Sequence, residues 1–283
     1  MNATFDFDPP VGVVRDVVAR ALAEDFGLLG DLTSIAVIAE DAQARGRIVA
    51  RSEGVLAGTA AAAEVFRQVD PELGFDWEIG DGVELAPGQV VGTVAGPLRS
   101  VLGAERSALN LLAHCSGVAT LTRRFVRAAH GKSRIRDTRK TLAGLRALEK
   151  AAVRAGGGFN HRESLSDAVL IKDNHLVGLE VVTAVQRARA RWPGRVVEVE
   201  CDTLEQVREA VAAGADLVLL DNMTPTQVAE AIAISGGLPF EVSGGVTIET
   251  VGAYAETGVD YISVGAITHS APALDLALDL DRV

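Results

Sequence analysis

From residue 134 onward, short apolar runs alternate with helical stretches, at 134–136, 168–172, 196–200, 217–221, 240–243 and 261–265. Strands connected through helices run parallel, because a helical crossover brings the chain back in its original direction and a tight hairpin cannot. An open doubly wound sheet and a closed barrel both satisfy that alternation. The strand ends separate them: Lys172, Glu200, Asp221, Ser243 and Gly265 each sit at or beside the carboxyl end of a successive strand, where a barrel gathers side chains around one mouth. In Val197-Glu198-Val199-Glu200 the period of two turns the valines toward helices and both glutamates toward the lumen. Six strands fall short of the eight of a full barrel. The expected fold class is therefore α/β, an incomplete or atypical α/β barrel.

The chain before this repeat has a different texture. Residues 10–26 place Val11, Val14, Val17, Val18, Ala21 and Leu22 at helical spacing. Strands are expected at 47–51, 55–57, 77–79 and 90–94, with turns at Asp81-Gly82 and Pro87-Gly88, which makes an α+β region ending near Pro97. Helices follow at 100–113 and 117–129, with a break expected at Ser116-Gly117.

Composition narrows the function. The whole chain balances 27 Lys and Arg against 38 Asp and Glu, a net −11, yet residues 132–172 hold ten cations against four acids (Asp137, Glu149, Glu163, Asp167). That island of +6 leaves −17 for the rest. A basic island in an acidic protein suits a compact pocket for a small, multiply charged anion, whereas nucleic acid calls for a basic stripe and stacking residues. Aromatics make up only 4%, so nucleic-acid binding is not expected. No uncharged apolar run reaches the roughly 18 residues of a membrane span, and 1–10 lacks a basic segment followed by an apolar one. Cys115 and Cys201 have no metal-ligand spacing, which fits a reducing compartment, the cytoplasm.

Five constellations carry chemistry. Arg136-Asp137-Thr138-Arg139-Lys140-Thr141 follows a strand and offers planar guanidinium forks with an adjacent mobile ammonium. Gly156-Gly157-Gly158-Phe159-Asn160-His161-Arg162 reads as a loop shaped around an anion. In Leu170-Ile171-Lys172-Asp173-Asn174-His175 a lysine points into an apolar interior, as an anion ligand or a Schiff-base amine. Glu200 and Asp221, at the ends of neighbouring strands, can steer sugar hydroxyls, reach magnesium through water or stabilise a cationic transition state. Ser243-Gly244-Gly245 and Val264-Gly265-Ala266 follow the last two strands, where glycine loops and helix starts make phosphate sites in barrels. His175 and His269 are expected as supporting donors, His114 and His130 as packing or surface residues. Arg106 has no local explanation.

At these residues the chain resembles the quinolinate phosphoribosyltransferase family. The resemblance covers 105–110, 135–145, 156–162, 170–175, 198–200, 219–222, 243–245 and 257–270. It implies transfer of phosphoribose from phosphoribosyl pyrophosphate to the quinolinate nitrogen, with release of pyrophosphate and carbon dioxide, formation of nicotinate mononucleotide for NAD biosynthesis, and assistance from Mg2+. It implies an N-terminal α/β sandwich domain over 1–112, with the tail 271–283 packing on it, and a barrel domain over 113–270. A homodimer with shared sites is implied, with a hexamer as the larger alternative. Carried over, Arg139, His161, Arg162, Lys172 and a partner's Arg106 bind the quinolinate carboxylates. Lys140, Glu200, Asp221 and the two glycine loops hold the donor, Thr138 and His269 are further substrate-binding residues, and Lys140, Lys172, Glu200 and Asp221 are the catalytic set. Ala143 and Ala151 stand where the family often has proline and tyrosine. Two competing readings are an aldolase-like barrel with Lys172 as the Schiff-base residue, and a binding protein that kept the fold without the transfer chemistry.

Overall fold

A computed structural model describes residues 8–281. Residues 1–7, part of the start read above for a leader, and 282–283, the end of the 271–283 tail, lie outside the described residues. The chain forms two compact units, one of residues 1–123, 141–157 and 267–283, the other of 124–140 and 158–266. The units therefore divide differently from the 112/113 boundary expected above, with 113–123 and 141–157 in the first.

The elements run α1 (Val11–Phe26), α2 (Leu32–Val37), β1 (Gln43–Ala50), β2 (Gly54–Val55), α3 (Thr59–Val69), β3 (Gly74–Trp77), β4 (Glu84–Leu85), β5 (Val90–Pro97), α4 (Leu98–Ala128), β6 (Arg134–Arg136), α5 (Arg146–Ala155), β7 (Val169–Ile171), α6 (Val181–Arg191), β8 (Val197–Cys201), α7 (Leu204–Ala212), β9 (Leu217–Asp221), α8 (Pro225–Ala233), β10 (Phe240–Ser243), α9 (Val251–Glu256), β11 (Tyr261–Ser263), α10 (Ala266–His269) and β12 (Leu276–Asp281). No helix of the described residues is long and apolar enough to cross a membrane.

In the first unit, four strands form an antiparallel sheet in the order β12-β1-β5-β3. Ala44 and Ile48 of β1 are buried while Arg45 and Arg47 point outward, the alternation of a sheet with one wet face. The tail strand β12 pairs with β1 along its length. The strand was not among those expected, although leucine at 274, 276, 278 and 280 alternates with Asp275, Ala277, Asp279 and Asp281, the period of a strand. The break expected at Ser116-Gly117 is absent: α4 runs through it unbroken. Gly117 serves packing instead, because a Cβ there would sit 2.1 Å from the Pro272 carbonyl oxygen.

The second unit holds six parallel strands in the order β6-β11-β10-β9-β8-β7. β6 and β7 end the sheet without pairing to one another, so the barrel is incomplete, as the alternation predicted. Phe159 makes a parallel bridge to Arg136 and extends the arc beyond β6 by one residue. Val197, Val199 and Cys201 are buried on one side of β8, the period-two pattern read from the sequence. Two helices on the return paths start with capping boxes, Thr203 with Gln206 on α7 and Thr224 with Gln227 on α8. These boxes satisfy helix-end N–H groups and keep the loops after β8 and β9 short, which fixes where the strand ends present their carboxylates.

Candidate active site

The carboxyl ends of these strands surround a cavity of about 370 Å3, lined by Thr138, Arg139, Lys140, His161, Arg162, Leu170, Lys172, Glu200, Leu219, Asp221, Glu241, Ser243 and Ser263. That volume suits a small-molecule ligand. The lining follows the strand period in two tiers. Lys172, Glu200, Asp221 and Ser243 form a rim, and two residues earlier in the chain Leu170, Leu219 and Glu241 form a floor, to which Glu198, buried and outside the lining, is joined through His161.

Lys172 belongs to the rim and corrects the expectation of a lysine in an apolar interior: its side chain is 41% exposed and pairs with the Glu200 carboxylate. The strand ends at Ile171, and the chain enters a single 3-10 turn at Asp173–His175. The Lys172 main-chain N–H donates to His175 Nδ1 at 2.9 Å, so His175 caps this turn and is not a donor there. An ammonium engaged by a carboxylate fits anion binding better than the free amine a Schiff base requires.

Arg139 and Lys140 enter from the segment after β6. Thr138 Oγ1 accepts from the Lys140 N–H at 2.9 Å, a local turn that aims both cations at the cavity. Asp137, fully buried, accepts from Asn160 Nδ2 at 2.6 Å and from the His161 N–H at 2.8 Å. This carboxylate ties the 158–162 segment to the end of β6 and so sets Arg162 beside Arg139. Arg162 donates to the Ala168 carbonyl at 3.0 Å; burial and the neighbouring Arg139 lower its proton affinity. Burial and the nearby Asp202 charge raise the Asp221 carboxyl above the ordinary aspartate value.

The floor is a buried polar network that the sequence reading left without a role. Arg136 donates to Glu241 Oε2 at 2.6 Å and lies 3.5 Å over the Tyr261 ring. Ser263 contacts the other Glu241 oxygen. His161 Nε2 is 3.0 Å from Glu198 and 3.5 Å from Glu241, while Nδ1 accepts from the Arg162 N–H at 2.7 Å. A signal was available for two of them: Glu198 and Glu241 each precede a rim residue by two, the same-face spacing of a strand.

His161, Glu198 and Glu241 are the one trio among the described residues whose ligand atoms lie close enough to hold a metal, all within 4.8 Å. The tautomer argues against it. An imidazole ligating through Nε2 carries its proton on Nδ1, and here Nδ1 faces a donor. Glu200 is engaged by Lys172 and Asp221 accepts from Asn222 Nδ2 at 2.7 Å, so these two fit contact with a substrate-borne cation through water, not direct ligation.

The remaining expected residues divide. Gly244, Gly245, Val264, Gly265 and Ala266 are not among the lining residues, and neither are Arg106 and His269, which belong to the first unit. Gly244 sits at φ +95°, and a Cβ there would meet Asn222 Oδ1 at 2.2 Å, so this glycine is needed for a turn folded around Asn222. The helix-start argument for the two loops fails on geometry: α9 begins at Val251 and α10 has four residues. Gly156 likewise packs under α4, with Thr122 Cβ 2.6 Å from its absent Cβ. Of the glycine triplet, Gly156 thus answers to close packing, and Gly157, at φ +87°, to a turn.

Comparison with known proteins identifies the family. Residues 31–116 match the quinolinate phosphoribosyl transferase N-terminal domain and residues 118–279 its C-terminal domain. The chain is 44% identical over 274 residues to the nicotinate-nucleotide pyrophosphorylase [carboxylating] of Mycobacterium leprae, covering 94% of this chain and 96% of that protein. It is 43% identical over 271 residues to the probable enzyme of the same name from Bacillus subtilis, covering 94% and 93%. The solved nicotinate-nucleotide pyrophosphorylase of Francisella tularensis superposes with a TM-score of 0.92 at 39% identity over 97% of this chain and 98% of its own. NadC from Streptococcus pyogenes does so with a TM-score of 0.93 at 39% identity over 98% and 99%. With both domains matched in order and relatives aligned nearly end to end, the chain belongs to the quinolinate phosphoribosyltransferase family.

Proposed function

We propose that the cavity at the carboxyl edge of the parallel sheet is where this phosphoribosyltransferase joins quinolinate to phosphoribosyl pyrophosphate, giving nicotinate mononucleotide, pyrophosphate and carbon dioxide for NAD biosynthesis. The observation that carries the reading is four cations, Arg139, Lys140, Arg162 and Lys172, lining one cavity. A dicarboxylate and a polyphosphate repel each other, and a concentrated cationic site is what brings them within reacting distance; each charged hydrogen bond contributes about 1.5–3 kcal/mol.

Arg139, Arg162 and Lys172 hold the quinolinate carboxylates, with His161 behind them. Thr138, Lys140, Glu200, Asp221 and Ser243 hold the donor. Glu200 and Asp221 would hold magnesium through water, and the ion would supply charge neutralisation for the donor. As the bond from the ribose carbon to pyrophosphate lengthens, positive charge grows on the sugar, and the rim carboxylates Glu200 and Asp221 stabilise it. The ring nitrogen attacks that carbon and becomes quaternary. Carbon dioxide then leaves, and the electron pair left on the ring carbon is stabilised by the adjacent cationic nitrogen until it takes a proton from water. No protein base is needed to break the carbon–carboxylate bond.

The active protein is a cytoplasmic homodimer in which the partner's Arg106 completes each site, with a hexamer as the larger alternative. In support, Leu28, Leu29, Leu32, Ile35 and Val37 of the first unit are exposed, a cluster of apolar residues that suits burial against a second copy. Sedimentation velocity tests the dimer. The reaction is tested by incubating the protein with quinolinate, phosphoribosyl pyrophosphate and magnesium and assaying nicotinate mononucleotide. Product is expected, and its absence from folded protein overturns the reading.

A further inference from the structure

We propose that Glu241 is a neutral carboxylic acid at physiological pH, and that its proton keeps the cavity floor uncharged beneath the bound quinolinate dianion. The claim rests on the quinolinate reading of the cavity for its functional half and on hydrogen-bond counting for its chemical half.

The counting starts at Ser263. Its Oγ touches Glu241 Oε1 and also lies 3.3 Å from the Asp137 carbonyl oxygen. A hydroxyl has one proton to donate and faces two acceptors. Both contacts are satisfied when Glu241 Oε1 carries a proton and donates to Ser263 Oγ, which in turn donates to Asp137. Glu241 Oε2 remains free to accept from Arg136.

Charge counting gives the same answer. The groups facing Glu241 are Arg136 from β6, Ser263 and Tyr261 from β11, Glu198 from β8, Leu219 from β9 and His161 from the 158–162 segment. Because His161 Nδ1 accepts a main-chain N–H, the imidazole carries its single proton on Nε2, directed at the carboxylates, and is neutral. With Glu241 ionised, one guanidinium faces two carboxylates and the floor holds net −1. With Glu241 protonated, Arg136 balances Glu198 and the floor is neutral. Glu198 and Glu241 are 2% and 0% exposed, so solvent cannot absorb the difference, and Glu198 Oε1 already lacks a hydrogen-bond donor. An unpaired negative charge there would oppose the dianion that the rim cations bind.

The titration tendencies fit. Burial, reinforced by the Glu198 charge, raises Glu241 above the ordinary glutamate value. Burial disfavours a charged His161, and the hydrogen bond to Glu198 with the Glu241 and Glu198 charges outweighs it. The two tendencies describe one excess proton shared by coupled groups, and the occupied Nδ1 assigns it to Glu241. Glu241 is thus a positioning residue that acts on substrate through the field of the floor.

Infrared difference spectroscopy on the whole protein tests this between about pH 6 and 9, where ordinary carboxyl groups are already ionised. A carboxylic-acid C=O band is expected at the lower end, lost as pH rises, missing in Glu241→Gln and displaced in Ser263→Ala, which removes the acceptor of the acid proton. No band in the wild type, a band that persists in Glu241→Gln, or one that Ser263→Ala does not move overturns the assignment. If Glu241→Gln does not fold, Ser263→Ala decides. The functional half predicts that the quinolinate KM rises roughly tenfold per pH unit once the band is lost, one proton's worth, without an equal rise in the KM of phosphoribosyl pyrophosphate. A quinolinate KM that ignores the band, or an equal rise in both KM values, overturns that half. A band present with no quinolinate binding at any pH leaves the neutral acid standing and removes the proposed substrate.

Discussion

Glu198 and Glu200 leave β8 on the same side, two residues apart, yet their surroundings differ in kind. Glu198 is buried with its partner His161. Glu200 sits in the cavity wall, paired with a lysine that is nearly half exposed. In the floor, Arg136, His161, Glu198, Glu241 and Ser263 meet mainly one another, and Glu198 Oε1 is left without a donor, so the placement of each proton and charge matters. In the rim, the four cations Arg139, Lys140, Arg162 and Lys172 share the cavity wall with two carboxylates, Glu200 and Asp221, and that positive balance is what a bound anion meets. The same residue type two positions along one strand therefore meets buried partners in one tier and the cavity in the other.

The largest expected effect breaks this contrast if it is false. Glu198→Ala removes a charged acceptor from a buried imidazole and leaves a void, and it should lower the unfolding free energy by about 3 kcal/mol, read by denaturant titration. Glu200→Ala should leave the denaturation midpoint near that of the parent and lower turnover instead. Equal losses of stability in the two variants would erase the distinction between floor and rim.

Next in size is the rim itself. Lys172→Ala or Arg162→Ala each withdraws a charged hydrogen bond from the dianion, about 1.5–3 kcal/mol. Steady-state kinetics should show kcat/KM for quinolinate falling by about ten- to a hundredfold. Unchanged kinetics in either variant would place the carboxylate site elsewhere.

A smaller effect separates rim acids by pH. Burial and Asp202 raise Asp221 above the ordinary aspartate value, so its anionic form is lost at a higher pH than that of a solvated aspartate as the medium is acidified. The acid limb of kcat/KM for phosphoribosyl pyrophosphate should follow that protonation, falling at most about tenfold per pH unit, and Asp221→Asn should remove the limb. A limb that survives the substitution assigns the titration to another group.

Much of the second unit was legible because parallel strands advertise themselves twice, by apolar runs and by functional residues at their ends. Of the five residues read at the strand ends, Lys172, Glu200, Asp221 and Ser243 line the cavity and Gly265 does not. The floor was harder to read: Arg136 and Glu241 look like ordinary charges in a sequence, and only the pairing of β10 with β11 and of β11 with β6 brings them together. The glycines misled for a related reason. Gly117 and Gly156 report how closely another segment passes, and sequence cannot distinguish close approach of a backbone from a turn or an anion site. Lys172 was expected to be buried because it continues the alternation of β7; the strand stops one residue earlier, and that residue decides between interior and rim.

The smallest expected effect tests the other face of the same strand. Cys201 ends β8 on the side opposite Glu200, and burial pushes its thiol up to about 12. Burial also pushes Cys115 upward. Nucleophilic sulfur is the thiolate, so at about pH 8 alkylating reagents should leave both cysteines unmodified in the folded protein and activity intact, as mass spectrometry and the product assay would show together. Rapid labelling of Cys201 in native protein would mean that β8 opens on its helix side. The glutamates of that strand could not then hold two distinct tiers, because both depend on one fixed register between Val197 and Cys201.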